Sequence, residues 1–176
     1  MFREIRRSRQ ALPVEEGREI LHRNTAGVLS LHDELYPYGV PISYVYEESS
    51  LAPGALYGTV YFHCATAGHK LEALGRNDRV SFCVIDQDHV LPEKFTTEFR
   101  SVIAFGVARV VSDDDEKRHG LELLAEKYSP GYDSDGEIKG EWNHTSVVAI
   151  DLDYFSTKEA IELVRAREAQ PEGAEG

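Results

Sequence analysis

The chain has 176 residues, of which 41% are hydrophobic and 28% charged, which is the length and composition of one globular domain with a full core. Its formal net charge of −12 argues against nucleic acid or an anionic membrane as a main partner. No apolar run approaches bilayer length, and "MFREIRRSRQ" lacks the apolar stretch of a secretory signal, so a cytoplasmic location is expected. Arg3, Arg6, Arg7 and Arg9 crowd the first ten residues. They form either a solvated arm or a means of reaching an anionic ligand or a partner subunit.

In chain order, "PVEEGREILHRN" predicts a first helix, with Pro13 at its start and Val14, Ile20 and Leu21 on its apolar side. Strand-like runs follow in "GVLSLH", "YGVPISYVYEE" and "TVYFHCA". "SSLAPGALYG", between the last two, is a Pro/Gly-rich connection. A short helix, "HKLEALGRND", begins after Gly68. "RVSFCVID" reads as a fourth strand and "EFRSVIAFGVARVVS" as a long fifth, in which Gly106 marks the bend that a closing barrel needs. A helix opening at Ser112 carries Asp113, Asp114 and Asp115 in its first turn and presents Leu121, Leu124, Ala125 and Tyr128 at helical spacing. Residues 129–146 read as a polar loop and "SVVAIDLDYF" as a sixth strand. Ser156 and Glu159 form a capping box for a last helix through Ile161 and Val164. Residues 1–166 are thus expected as a single domain and 167–176 as a disordered tail. Six strands without the βαβ rhythm predict a mainly β protein: a six-stranded antiparallel split β-barrel with peripheral α-helices.

The segment "YFHCATAGHK" packs two histidines, a cysteine and a lysine into residues 61–70. A metal site is disfavoured, because His63 and Cys64 are neighbours on a strand and leave it on opposite faces. Their spacing to His69 also matches no zinc pattern. A thiol nucleophile is disfavoured too, since Cys64 shares the apolar face of Val60 and Phe62, and Cys83 has apolar neighbours. Both cysteines are expected as buried, reduced thiols. An anion site remains open. The helix start at His69 and Lys70 offers unpaired N–H groups and a positive dipole end, and the alternative is a solvated lysine beside a surface histidine.

Other stretches favour the anion. Pro41 interrupts a strongly β-forming run, marking an edge or a place where backbone faces a ligand. Ser43 shares the face of Pro41, while Val40, Ile42 and Tyr44 take the other. Thr96, Thr97, Arg100 and Ser101 add hydroxyls and a guanidinium. Individually these read as turn residues and a surface charge; together they suit a phosphorylated polyol carrying a flat polar ring.

The motifs "PYGVPISYVYE", "YFHCATAGHK", "VSFCVID", "EKFTTEFRSVIAFG" and "LAEKYSP" together resemble the nitroimidazole-resistance branch of the pyridoxamine 5′-phosphate oxidase-like flavoproteins. The resemblance runs from "MFREIRR" to "TKEAIELV". It implies an FMN-binding homodimer with two flavins at the subunit interface. It also implies that Lys70 and His69 hold the FMN phosphate and that Val40, Pro41, Ile42, Ser43 and Tyr44 line the flavin ring and ribityl chain. Phe62, His63, Cys64 and Ala65 would lie along the neighbouring strand, partly through backbone, and Thr97, Arg100 and Ser101 would complete the ribityl and phosphate contacts. Two departures stand out: the "SSLAPGALYG" connection exceeds the usual tight hairpin, and "STKEA" replaces "GKEA".

The resulting expectation is a reductase of small acceptors, nitroimidazole-type nitro compounds among them, in which the flavin carries the electrons and no metal takes part. His63, facing away from the core, is the expected proton donor or substrate-facing group, with His69 second. The alternatives are a non-catalytic flavin-binding or flavin-sensing protein and a deazaflavin-dependent or oxidase-type enzyme on the same scaffold.

Overall fold

The computed structural model describes residues 2–48 and 55–169, whose strands form one antiparallel sheet of eight. β1 (Ala11–Leu12) leads into α1 (Val14–Arg23), which starts directly after Pro13. Glu15 and Glu16 in its first turn and His22 and Arg23 in its last complement the helix dipole. Ile20 and Leu21 are buried as the pattern predicts, whereas Val14 is exposed. Then come β2 (Ala26–His32), β3 (Pro37–Ser43), β4 (Val45–Glu47), β5 (Thr59–Ala65) and α2 (His69–Arg76). The long strands β6 (Arg79–Leu91) and β7 (Thr96–Val110) precede α3 (Asp114–Tyr128), α4 (Asp135–Glu141), β8 (Thr145–Glu159) and α5 (Ile161–Ala169).

The strand order β3-β2-β6-β7-β8-β5-β4, with β1 on the end of β8, gives the barrel its shape. β3 and β4 sit at opposite ends of that order, yet Tyr44 alone joins them. One residue spans only about 3.5 Å, so the sheet must curl until its two edges nearly meet. The barrel is therefore split along this seam. Tyr44 is fully buried there: its hydroxyl donates to the Leu21 carbonyl at 2.8 Å and its N–H donates to the Tyr128 hydroxyl at 2.8 Å. This crossing divides the single run expected over "YGVPISYVYEE" into two strands, and β1 supplies the other addition to the expected six. Pro41 lies on the edge strand β3, where a missing ladder donor is tolerated.

The barrel interior is filled by alternate residues of the strands, including Leu29, Ile42, Phe62, Phe82, Val84 and Val102. A second, smaller cluster of Val45, Tyr61, Val111, Leu124, Val147 and Ala149 lies under α3, so β5 is covered on both faces over its first half. Register along β7–β8 shifts between Phe105 and Gly106, and a Cβ at Gly106 would stand 2.3 Å from the Asp151 carbonyl oxygen. This is the bend that the glycine foreshadows.

Local pattern and structure part company at four places. α3 is capped by Asp113, which accepts the Glu116 N–H at 2.9 Å, one residue later than Ser112. The expected loop 129–146 contains α4. Ser156 and Glu159 belong to β8, not to a capping box. Glu159 is only 1% exposed and lies between Arg100 (3.2 Å) and Arg167 (2.5 Å), so long-range ion pairing claims the carboxylate that a local cap would have used. α5 runs to Ala169, three residues into the expected tail; residues 170–176 and 49–54 lie outside the described residues. No helix among the described residues is long and apolar enough to cross a membrane.

One face of the sheet keeps an apolar surface. Val28, Ile85, Ile103 and Phe105 are exposed on its outer side, and Val28, Cys83 and Ile103 are direct neighbours across β2, β6 and β7. Near the N-terminus Phe2 stacks on Tyr154 at 4.9 Å, and Arg9 pairs with Glu168 at 2.8 Å.

Candidate functional site

β5 is paired with β8 along its whole length, but with β4 only as far as Tyr61. From Phe62 to Ala65 its other edge has no strand partner among the described residues. This open edge borders the seam at which β3 ends. Ser43, the last residue of β3, and His63 of β5 consequently line one cavity of about 630 Å³. α3 supplies a wall of Leu121, Leu124, Ala125 and Tyr128, α4 contributes Ile138, and Thr145 enters from β8.

Tyr128 fastens that wall to the strand break. Its hydroxyl accepts the Tyr44 N–H and lies 2.8 Å from the Tyr44 carbonyl and against that of Thr25, one of which takes its proton. The adjacent Lys127 donates to the Asn24 carbonyl at 2.6 Å and sits over the Tyr44 ring. Burial pushes its ammonium down to about 8.

Alternation separates His63 from Cys64 as the sequence indicates. His63 is exposed toward the cavity, while Cys64 packs, half-buried, against the core cluster. Burial pushes the thiols of both Cys64 and Cys83 upward, away from thiolate chemistry. Phe62, Ile42 and Tyr44 are buried, so any ligand contact they make is through backbone or packing; Pro41, Ser43 and Ala65 are exposed and Val40 partly so.

After β5 the chain turns at Gly68, whose φ of +139° suits glycine and whose Cβ position faces open space. Gly68 makes no side-chain cap, so the first-turn N–H groups of α2 stay available, with half-buried Lys70 beside them. Lys70 makes no ion pair among the described residues, and its charge partly offsets the burial effect on Cys64. His69 is differently placed. Its Nε2 lies 3.0 Å from Asp33 Oδ2, its ring stacks on Tyr38 at 4.3 Å, and Arg76 holds the same carboxylate at 2.6 Å. The Glu34 backbone N–H, then His69 and Arg76, hold Asp33 below the usual carboxylate range. His69 thus braces the turn after β2.

Thr97, Arg100 and Ser101 are not brought to Lys70. β5, which leads to Lys70, ends at Ala65 opposite Thr145 at the start of β8, beyond the Val110↔Val148 pair that closes β7, whereas Arg100 and Ser101 stand opposite Glu159 and Lys158 at the far end of β8. Arg100 is engaged instead by Glu159, with Asp86 at 4.0 Å, although its buried Nε lacks a partner. Within one chain the expected ligands therefore fall into two groups, at opposite ends of β7.

Residues 13–159 match the family model described as pyridoxamine 5′-phosphate oxidase. The chain belongs to that family. None of the curated proteins matches it in sequence. Among solved structures of this fold, a candidate 5-nitroimidazole antibiotic resistance protein from Bacteroides thetaiotaomicron is 22% identical, with a TM-score of 0.66 over 85% of this chain and 86% of its own. A FAD-binding protein from Mesorhizobium loti is also 22% identical, with a TM-score of 0.60 over 86% and 97%. A conserved hypothetical protein from Mycobacterium tuberculosis is 17% identical but superposes over 98% of both chains with a TM-score of 0.72.

The sequence reading overlooked the cavity lining contributed after α3: Tyr132, Asp133, Glu137, Ile138, Glu141 and Thr145. Its only advance sign was Tyr128, which closes the apolar stripe of Leu121, Leu124 and Ala125 with a hydroxyl.

Proposed function

We propose that this member of the pyridoxamine 5′-phosphate oxidase family is a flavin-dependent reductase of small acceptors, binding FMN and working as a homodimer. The observation that carries the reading is the seam itself. Ser43 and His63 face one cavity across the open edge of β5, and the uncapped start of α2 with Lys70 follows on the same strand. These residues fit a flavin. A helix start with free N–H groups and an unpaired lysine suits a phosphate, and an unpaired strand edge suits the polar rim of a flat ring.

FMN would supply hydride or paired-electron transfer when bound. The chain's own residues would hold the phosphate through Lys70 and the α2 N–H groups. Val40–Ser43 and Phe62–Ala65 would border the ring. His63, exposed to the cavity and free of a carboxylate partner among the described residues, would present a proton to the acceptor. His69, bound by Asp33, would act by fixing the start of α2 rather than as an acid.

Two observations support a homodimer. The outer face of β2, β6 and β7 carries Val28, Ile85, Ile103 and Phe105 in contiguous apolar exposure, a surface of the kind that partners cover. The two groups of expected ligands also lie too far apart along β7 to serve one flavin in one chain. A second copy would bring Thr97, Arg100 and Ser101 to the site that Lys70 begins. The resistance-protein neighbour favours nitro compounds as acceptors.

The decisive experiment is stopped-flow mixing of the photoreduced protein with a 5-nitroimidazole. Reoxidation well above the rate of free reduced FMN is expected, and reoxidation at the free-flavin rate would leave a binding protein only. A colourless protein with no saturable FMN titration would end the flavin reading. Ile103→Asp should convert the dimer to monomer in sedimentation; an unchanged mass removes the proposed interface.

A further inference from the structure

The cavity at the seam has a chemical polarity of its own. Its inner wall is apolar, formed by Leu121, Leu124, Ala125 and Ile138, of which Leu124 and Ile138 are buried. Its outer rim carries Asp133, Glu137 and Glu141, and no lysine or arginine lines it. None of the three carboxylates is in an ion pair among the described residues. The nearby cations Arg118 and Lys139 are both committed to Asp135, which lies outside the cavity lining. Glu137 and Glu141 stand one turn apart on α4, a like-charge spacing that disfavours a helix unless something positive lies between them.

We propose that the cavity binds the acceptor, and that the acceptor class it takes is a small aromatic or otherwise apolar molecule bearing a cationic group. The apolar body fits against Leu124 and Ile138, with the cation at the rim carboxylates and the reacting end toward His63. An anionic molecule would meet three rim carboxylates and no lysine or arginine, so the same arrangement disfavours carboxylates and phosphates, including the flavin's own. The electrostatic preference is set at an exposed rim and therefore weakens with salt. The proposal rests on reading the seam as a flavin-dependent acceptor site and adds the charge of the substrate class.

Isosteric probes test it without turnover. Benzylamine and benzoate are titrated calorimetrically into the full-length protein as purified, at low and high salt, with flavin content read from absorbance throughout. Benzylamine should bind at least tenfold tighter than benzoate at low salt. The double variant Glu137→Gln/Glu141→Gln should bring the two within twofold while leaving flavin content unchanged; both positions are exposed, so the fold tolerates the change. Equal affinities in the wild type, a preference that survives in the double variant, or no binding of either probe overturns the proposal. So does release of flavin by benzylamine, which would make the cavity the flavin's own. A colourless protein that still ranks the probes in a Glu137- and Glu141-dependent way upholds the cation selectivity and rejects the flavin reading instead.

Discussion

Replacing Lys70 by alanine separates a phosphate site from a solvated lysine. Lys70 is the second residue of α2, half-buried, beside an N-terminus that no side chain caps. It makes no ion pair among the described residues, so its removal breaks no charge pair there. What it would lose is one charge-assisted hydrogen bond to a phosphate, worth about 1.5–3 kcal/mol. The α2 N–H groups remain, so binding weakens without vanishing, and the dissociation constant rises roughly 10- to 140-fold. The assay is fluorescence titration of flavin-stripped protein with FMN, paired with a melting curve of the apoprotein. The expected signature is a large loss of affinity with an unchanged apoprotein melting temperature. Riboflavin, which lacks the phosphate, should bind wild type and variant alike. An FMN affinity within twofold of wild type, or an equal loss for riboflavin, would place the phosphate elsewhere.

Gly106→Ala forces a Cβ to 2.3 Å from the Asp151 carbonyl at the β7–β8 register shift, so β8 must move. A loss of about 1–3 kcal/mol is expected, about 2–4 °C in melting temperature per kcal/mol, and an unshifted melt would mean that the bulge is soft. Asp86 accepts from Arg23 at 2.8 and 2.6 Å and from Asn24 at 2.9 Å, chiefly the former holding it below its ordinary 3.8. A carboxylate depressed by folding stabilises fully above its unfolded value and loses that contribution as pH falls through its folded value. Asp86→Asn should therefore melt lower than wild type near about pH 7, with the gap closing below about pH 4; a gap independent of pH down to about 3 would show that charge is not what Asp86 contributes.

Strand faces were legible because alternation is local. Val60 and Phe62 point inward, and His63 and Cys64 part company, for reasons contained in five consecutive residues. The break at Tyr44 was not legible, since Val40, Ile42, Tyr44 and Tyr46 continue the period without interruption. What breaks the strand is the curl of the whole sheet, fixed from a distance by Leu21 and Tyr128. Ser156 and Glu159 carried a valid capping pattern, but Arg100 and Arg167 compete for the same carboxylate and win by burying it. α4 was hidden for the opposite reason. Gly136 and Gly140 weaken it locally, Ile138 is its one buried residue, and packing rather than propensity makes it a helix. That single omission concealed one side of the cavity, because Glu137, Ile138 and Glu141 all belong to α4. The uncapped start of α2, with Lys70 as its second residue, was readable locally from Gly68, His69 and Lys70. The cavity depends on several segments meeting at a seam, and two of its three rim carboxylates, Glu137 and Glu141, lie on the element that propensity least supports.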